Sequence, residues 1–204
     1  MMKIGVLASG GGTDLQSVID KVHGVSGEIA VVISNNKDAY ALTRAQNAGI
    51  PAVAIVEKEC DGVADFNGRI VAELKARGVE LVVLAGYMRI ITADFVKAYP
   101  NRIVNIHPAL IPSFCGEGYY GMHVHQAVYD YGVKVTGATV HFVNEEADAG
   151  PIIAQRTVSV LNDDTPESIQ KRVLEVEHEL LPWVVAQICL GKVSVDGRHV
   201  RVES

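Results

Sequence analysis

Residues Arg102 to Pro112 read R-I-V-N-I-H-P-A-L-I-P. Ile103, Val104 and Ile106 are the apolar frame of a short buried strand, and Asn105 and His107 interrupt that frame at its end. Side chains alternate between faces along a strand, so Asn105 and His107 share one face. Pro108 brings no backbone N–H to a ladder and ends the strand. In an open parallel sheet, ligands bind just beyond the carboxyl ends of the strands. The stretch thus predicts a carboxamide beside an imidazole at such a rim, if the rest of the chain builds the sheet.

Upstream, the pattern alternates. Lys3 to Ala8, Ile29 to Ile33, Ala52 to Val56 and Leu81 to Ala85 are short apolar runs that read as buried strands. Between them, Asp14 to Val22, Ala39 to Ala48 and Asp65 to Ala76 carry apolar residues at helical spacing. Thr92 predicts the cap of a short helix over Ala93 to Ala98. Strand–helix alternation with nearly continuous apolar strands predicts an α/β class fold: a Rossmann-like, mostly parallel twisted sheet with helices on both faces. After Gly132, Val133 to Val143 and Ile152 to Val160 are two extended runs in succession, expected to add strands to the same sheet. Thr165-Pro166-Glu167 opens a helix running to about Leu190, with a bend expected at Pro182. Two short strands around Asp196-Gly197 close the chain. We expect one domain over 1–204, with a phosphate-binding half to about residue 100 and a catalytic half from about 101.

The chain has 204 residues, 49% of them hydrophobic, which supplies a sizeable core and argues against disorder. A net charge of −6 argues against a nucleic-acid binder. No positive leader or long apolar run opens the chain, so neither a signal peptide nor a membrane span is expected. Cys60, Cys115 and Cys189 lie far apart and are odd in number, which fits a reducing cytoplasm and no metal or disulfide framework.

Two further stretches carry chemistry. Ser9 to Gln16, S-G-G-G-T-D-L-Q, leads from the first strand into a helix. Its glycines let amides turn inward, and a helix start adds about half a positive charge, which suits an anion such as phosphate. No glycine stands at Leu15 and no lysine follows, so it is neither a dinucleotide fingerprint nor a P-loop. Asp14 is expected to cap the helix, leaving the amides of Gly12 and Thr13 for the anion. The acidic loop Asn144 to Pro151 supplies Asp148, set by the following Gly150-Pro151. Placed beside His107, Asp148 is expected to raise the imidazole's pKa and keep it cationic.

These stretches, with V-V-L-A-G-Y-M-R-I from Val82, G-A-T-V-H-F-V-N-E-E-A-D-A-G-P-I-I from Gly137 and R-V-L-E-V-E-H-E-L-L-P from Arg172, resemble the folate-dependent formyltransferase family over nearly the whole chain. The resemblance is to its branch acting on glycinamide ribonucleotide. It implies formyl transfer from 10-formyltetrahydrofolate to that amine in purine synthesis, without a metal. It implies Asn105, His107 and Asp148 as the catalytic set. Gly12, Thr13, Asp14, Pro108 and Glu177 would hold the ribonucleotide. Met88, Arg89, Ile90, Ile91, Asn105, Asn144, Glu145, Glu146, Ala147 and Asp148 would hold the folate. Partners are these small molecules, with no nucleic acid or membrane, in a monomer or homodimer. Asn105 and protonated His107 would steady the formyl oxyanion. His107, Asp148 or an ordered water would relay the proton.

Three positions depart from the family pattern. Asp14 stands where Asn is common, Val63 where an Arg often reaches folate, and Phe114 to Gly121 is a longer, glycine-rich segment read as a lid. His123 and His125 read as orienting or structural, and His141 as either a support behind the site or a core residue. The alternatives are a formyltetrahydrofolate hydrolase or a formyltransferase for another amine. The usual extra domains of the hydrolase and tRNA-directed types are not expected here.

Overall fold

The structure, a computed structural model, describes residues 1–203. Five parallel strands come first: β1 (Met2–Ala8), β2 (Gly27–Ser34), β3 (Ala52–Ala54), β4 (Leu81–Leu84) and β5 (Ile103–His107). Two antiparallel strands extend the sheet past β5: β6 (Val135–Phe142) and β7 (Ile152–Ser159). The spatial order is β3-β2-β1-β4-β5-β6-β7. The chain winds outward from β1 to β3, then returns to β4 on the other side of β1. That reversal opens a crevice beyond the ends of β1 and β4.

Helices cover both faces. α1 (Thr13–Val22), α2 (Tyr40–Asn47), α5 (Met122–Tyr131) and α6 (Pro166–Cys189) pack on one side through Leu15, Val18, Ala41, Val128, Val173 and Val184, among others. α3 (Val63–Ala76) and α4 (Ala93–Ala98) cover the other through Phe66, Ile70, Leu74 and Phe95. Each Val, Leu, Ile or Phe side chain among these, fully removed from water, stabilises the fold by roughly 1.5–3 kcal/mol. The Thr92 side chain accepts from the Phe95 amide and so caps α4, as expected. Strands β8 (Val193–Asp196) and β9 (His199–Val202) form a separate hairpin whose second strand lies against β7. No helix among the described residues is long and apolar enough to cross a membrane.

One expectation of the fold changes. α5 fills a stretch with no assigned element: its apolar stripe is thin, with only Val124, His125 and Val128 buried. α6 runs on through Pro182 as one helix. Proline at 182 cannot donate to the carbonyl of His178. Lys21 of α1 does so instead, its Nζ 3.0 Å from that oxygen. Lys21 also pairs with Glu179.

Candidate active site

The crevice beyond β1 and β4 is a cleft of about 320 Å³ lined by Ser9 to Asp14 and by Ala85, Gly86 and Met88. Gly12 is the N-cap of α1 with φ 70, a left-handed conformation. A Cβ there would stand 2.8 Å from that of Ala41, so the close approach of α2 also demands glycine. The carbonyls of this turn are taken. Gly10 accepts from the Ala41 amide, Gly11 from Arg44 Nε and Gly12 from the Gln16 amide. The amides of Gly11, Gly12 and Thr13 donate to no protein acceptor among the described residues. A turn whose carbonyls are satisfied and whose amides are free is an anion cradle.

Asp14 does not cap this helix, because α1 has no side-chain cap and Asp14 lies within its first turn. Gly12 starts the helix with its backbone alone, so the carboxyl is turned instead towards α6. Its Oδ1 is buried without a hydrogen bond, 3.8 Å from His178 Nε2, which is also unpartnered. Burial pushes the Asp14 pKa up to about 6. Glu177, one residue before His178, is buried too, and burial together with the Asp14 charge pushes its pKa well up.

The second cluster stands at the end of β5. His107 is 3% exposed, and its Nε2 lies 2.8 Å from the carbonyl of Phe114. A carbonyl only accepts, so it fixes a ring proton on Nε2. In the neutral ring, Nδ1 then turns its lone pair towards Asp148 Oδ2, 3.5 Å away. Asn105 and His107 share a face, as the strand period requires. Antiparallel pairing sets His141 opposite Asn105 and Thr139 opposite His107. His141 Nδ1 lies 2.9 Å from the Phe142 carbonyl, which by the same reasoning leaves Nε2 to accept from Asn105 Nδ2 at 3.3 Å. That Nε2 is also 3.6 Å from Asp148 Oδ1. Asn105, His107, His141 and Asp148 therefore meet at one point.

Asp148 is held in a left-handed conformation, φ 53, and accepts from the Gly116 amide at 2.9 Å. Burial raises its pKa, but His141 and His107 when protonated, together with the Gly116 amide, hold it below the usual carboxylate range. His107 corrects the expectation of a raised pKa. Burial lowers it by more than Asp148 and the Phe114 carbonyl raise it, so the resting imidazole is neutral near pH 7. Buried His125, on α5, is pushed down to about 4 by burial and by His107, and its Nδ1 has no partner.

The other expected positions are more scattered. Met88 and Ile90 are exposed on the loop after β4, and Arg89 reaches Glu57 at 3.6 Å. Asn67 of α3 steadies this loop, donating to the Ile90 carbonyl at 3.2 Å and accepting from the Thr92 amide at 3.3 Å. Val63, at the exposed start of α3, makes no ionic contact, and Arg69 is paired with Asp65. Glu145, Glu146 and Ala147 are exposed, while Asn144 Oδ1 accepts from the Glu146 amide at 3.2 Å. Pro108 begins the bend after β5. Thr139 donates to the Ala109 carbonyl at 2.7 Å and accepts from the Ile111 amide at 3.1 Å, and Gln155 donates to the Ile111 carbonyl at 2.9 Å. Residues 1–203 hold no cluster of three or more His, Cys, Asp or Glu placed to bind a metal.

Residues 2–185 match the sequence model of the formyl transferase family. Among curated proteins, the chain is 39% identical over 194 residues to phosphoribosylglycinamide formyltransferase of Haemophilus influenzae, covering 94% of this chain and 89% of that one. It is 41% identical over 192 residues to the chloroplastic phosphoribosylglycinamide formyltransferase of Arabidopsis thaliana, covering 92% of this chain but 65% of the plant protein's length. Among solved structures, glycinamide ribonucleotide transformylase 1 from Symbiobacterium toebii superposes with a TM-score of 0.94 at 41% identity, over 100% of this chain and 95% of that one.

Proposed function

The chain belongs to the formyl transferase family, and on that premise we propose that it moves a formyl group from 10-formyltetrahydrofolate to the amine of glycinamide ribonucleotide. The products are formylglycinamide ribonucleotide and tetrahydrofolate, in purine synthesis. The observation that carries this reading is the meeting of Asn105, His107 and Asp148 at the rim of the sheet that also carries the amide cradle of Gly11 to Thr13. The cradle takes the ribonucleotide phosphate, with Asp14, Pro108 and Glu177 on the same side. The loops of Met88 to Ile91 and of Asn144 to Asp148 take the folate.

The amine attacks the formyl carbon, and charge builds on the formyl oxygen. One N–H of Asn105 is engaged by His141, and the other is free to donate to that oxygen. Losing one such donor typically costs about 100- to 1000-fold in rate. The attacking nitrogen must shed a proton. Neutral His107 accepts it at Nδ1, where Asp148 faces the new N–H and stabilises the imidazolium. The proton then passes to the folate nitrogen as the carbon–nitrogen bond breaks. We read the chain as one domain acting in the cytoplasm, as a monomer or homodimer. Its three free thiols fit that reducing compartment.

Folate release from 10-formyltetrahydrofolate, followed with and without glycinamide ribonucleotide, tests the reading. Release that requires the ribonucleotide is expected. Equal release without it would make the protein a hydrolase, and no release with either would remove the proposal.

A further inference from the structure

The ribonucleotide cradle has a carboxyl group in its first helical turn, which is the wrong charge for a phosphate. Asp14 lines the cleft and its Oδ1 is buried without a partner. Among the described residues no lysine or arginine pairs with it. The facing groups on α6 are Glu177, itself buried, and His178, whose Nε2 is 3.8 Å away and equally unpartnered. Arg44 of α2 is spent on the Gly11 carbonyl and on Gln16. Lys21, further along α1, is spent on Glu179 and the His178 carbonyl. Resting on the function proposed above, we propose that Asp14 takes up a proton from solvent when the ribonucleotide binds, so that the site receives its phosphate as a neutral acid and not as a carboxylate.

The protonated carboxyl gains what the resting one lacks: an O–H donor aimed at an unpaired acceptor, either His178 Nε2 or a phosphate oxygen. Asparagine at this position would be neutral at every pH, so the aspartate adds a proton dependence of its own to the cradle. The resting group titrates at about 6. Above that, each pH unit costs the wild type about a tenfold loss in ribonucleotide affinity that a neutral side chain escapes.

The test is calorimetric titration of the full chain with glycinamide ribonucleotide at pH 8, in two buffers of different ionisation enthalpy, for wild type and Asp14→Asn. The wild type is expected to take up about one more proton per ligand than the variant. Its affinity should fall about 50-fold more between pH 6 and pH 8, as the protonated fraction drops from about a half to about a hundredth. The variant is isosteric and loses a buried charge, so it should also melt higher at pH 8. Asp14 has a raised folded pKa, so its contribution to stability is present below pH 3.8 and lost as pH rises through about 6. Tight binding with equal proton counts in both proteins would overturn the proposal and leave the function intact. No binding by either would instead strike the function. Glu177→Gln should keep the proton uptake, and its loss there but not in Asp14→Asn would also overturn the assignment.

Discussion

Gly150→Ala adds a single methyl to a residue outside the reacting set, yet it should disable the chemistry. A Cβ at Gly150 would lie 1.7 Å from the Phe142 carbonyl oxygen, whereas real Cβ atoms essentially never come within 3.0 Å. The neighbour is backbone at the end of β6, fixed by the Phe142 amide donating to the Pro151 carbonyl at 2.9 Å. The loop, not the strand, has to give, and by more than 1 Å. Two residues upstream, Asp148 sits 3.5 Å from His107 Nδ1 and 2.9 Å from the Gly116 amide. A misplacement of that size in a reacting geometry costs about 100-fold in rate. The strain itself should cost about 1–3 kcal/mol of stability, read as a loss of roughly 2–4 °C in Tm per kcal/mol for a chain of this length. Steady-state kcat, ribonucleotide Kd by calorimetry and a melting curve separate the effects. We expect kcat to fall about 100-fold while the Kd holds, since the cradle lies on other elements. A folded variant with wild-type kcat would refute the idea that this loop's seat sets Asp148.

Asp148→Asn should lower kcat by about 100-fold or more and move the acidic limb of its pH profile to lower pH. The carboxylate is what raises the His107 pKa against burial, and without it the ring stays neutral further into acid; an unmoved limb would show that His107 is not the acceptor. His125→Gln should flatten the acid loss of stability. The folded pKa of His125 lies near 4, below its ordinary 6.5, so wild-type stability is full above 6.5 and is lost as pH falls towards 4. Melting temperatures of both proteins across that window check it. Arg198 donates to the Ala149 carbonyl at 3.0 Å, bracing the Asp148 loop from the hairpin of β8 and β9. Arg198→Ala should raise the KM for the folate a few-fold and Arg198→Lys should recover part of it, with identical KM values in all three proteins counting against the brace.

The period of two along β5 was enough to place Asn105 and His107 on one face, and strand–helix alternation was enough for the parallel sheet. His141 was harder to see. Its position depends on the register of β6 against β5, which pairs it with Asn105 across 36 residues of chain, and no local pattern encodes that register. The charge on His107 is out of reach of the sequence for a related reason. The carboxylate beside it was foreseeable, but the depth of its burial was not, and burial dominates. Asp14 looked like a cap because Asp often is one. Only the left-handed Gly12 shows that the helix begins earlier, on backbone alone. α5 escaped because its buried stripe is short and begins after a run of glycines.

Pro182 spoils one rung of α6, and that defect serves the site. The vacant carbonyl of His178 becomes a socket for Lys21, so the helix bearing Glu177 is buttoned to the helix that begins at the cradle. An unbroken ladder would have had nothing to offer a neighbour at that point. α1, which begins at the amide cradle, is coupled to α6 through this flaw, and neither helix can slide along the other without undoing the fastening.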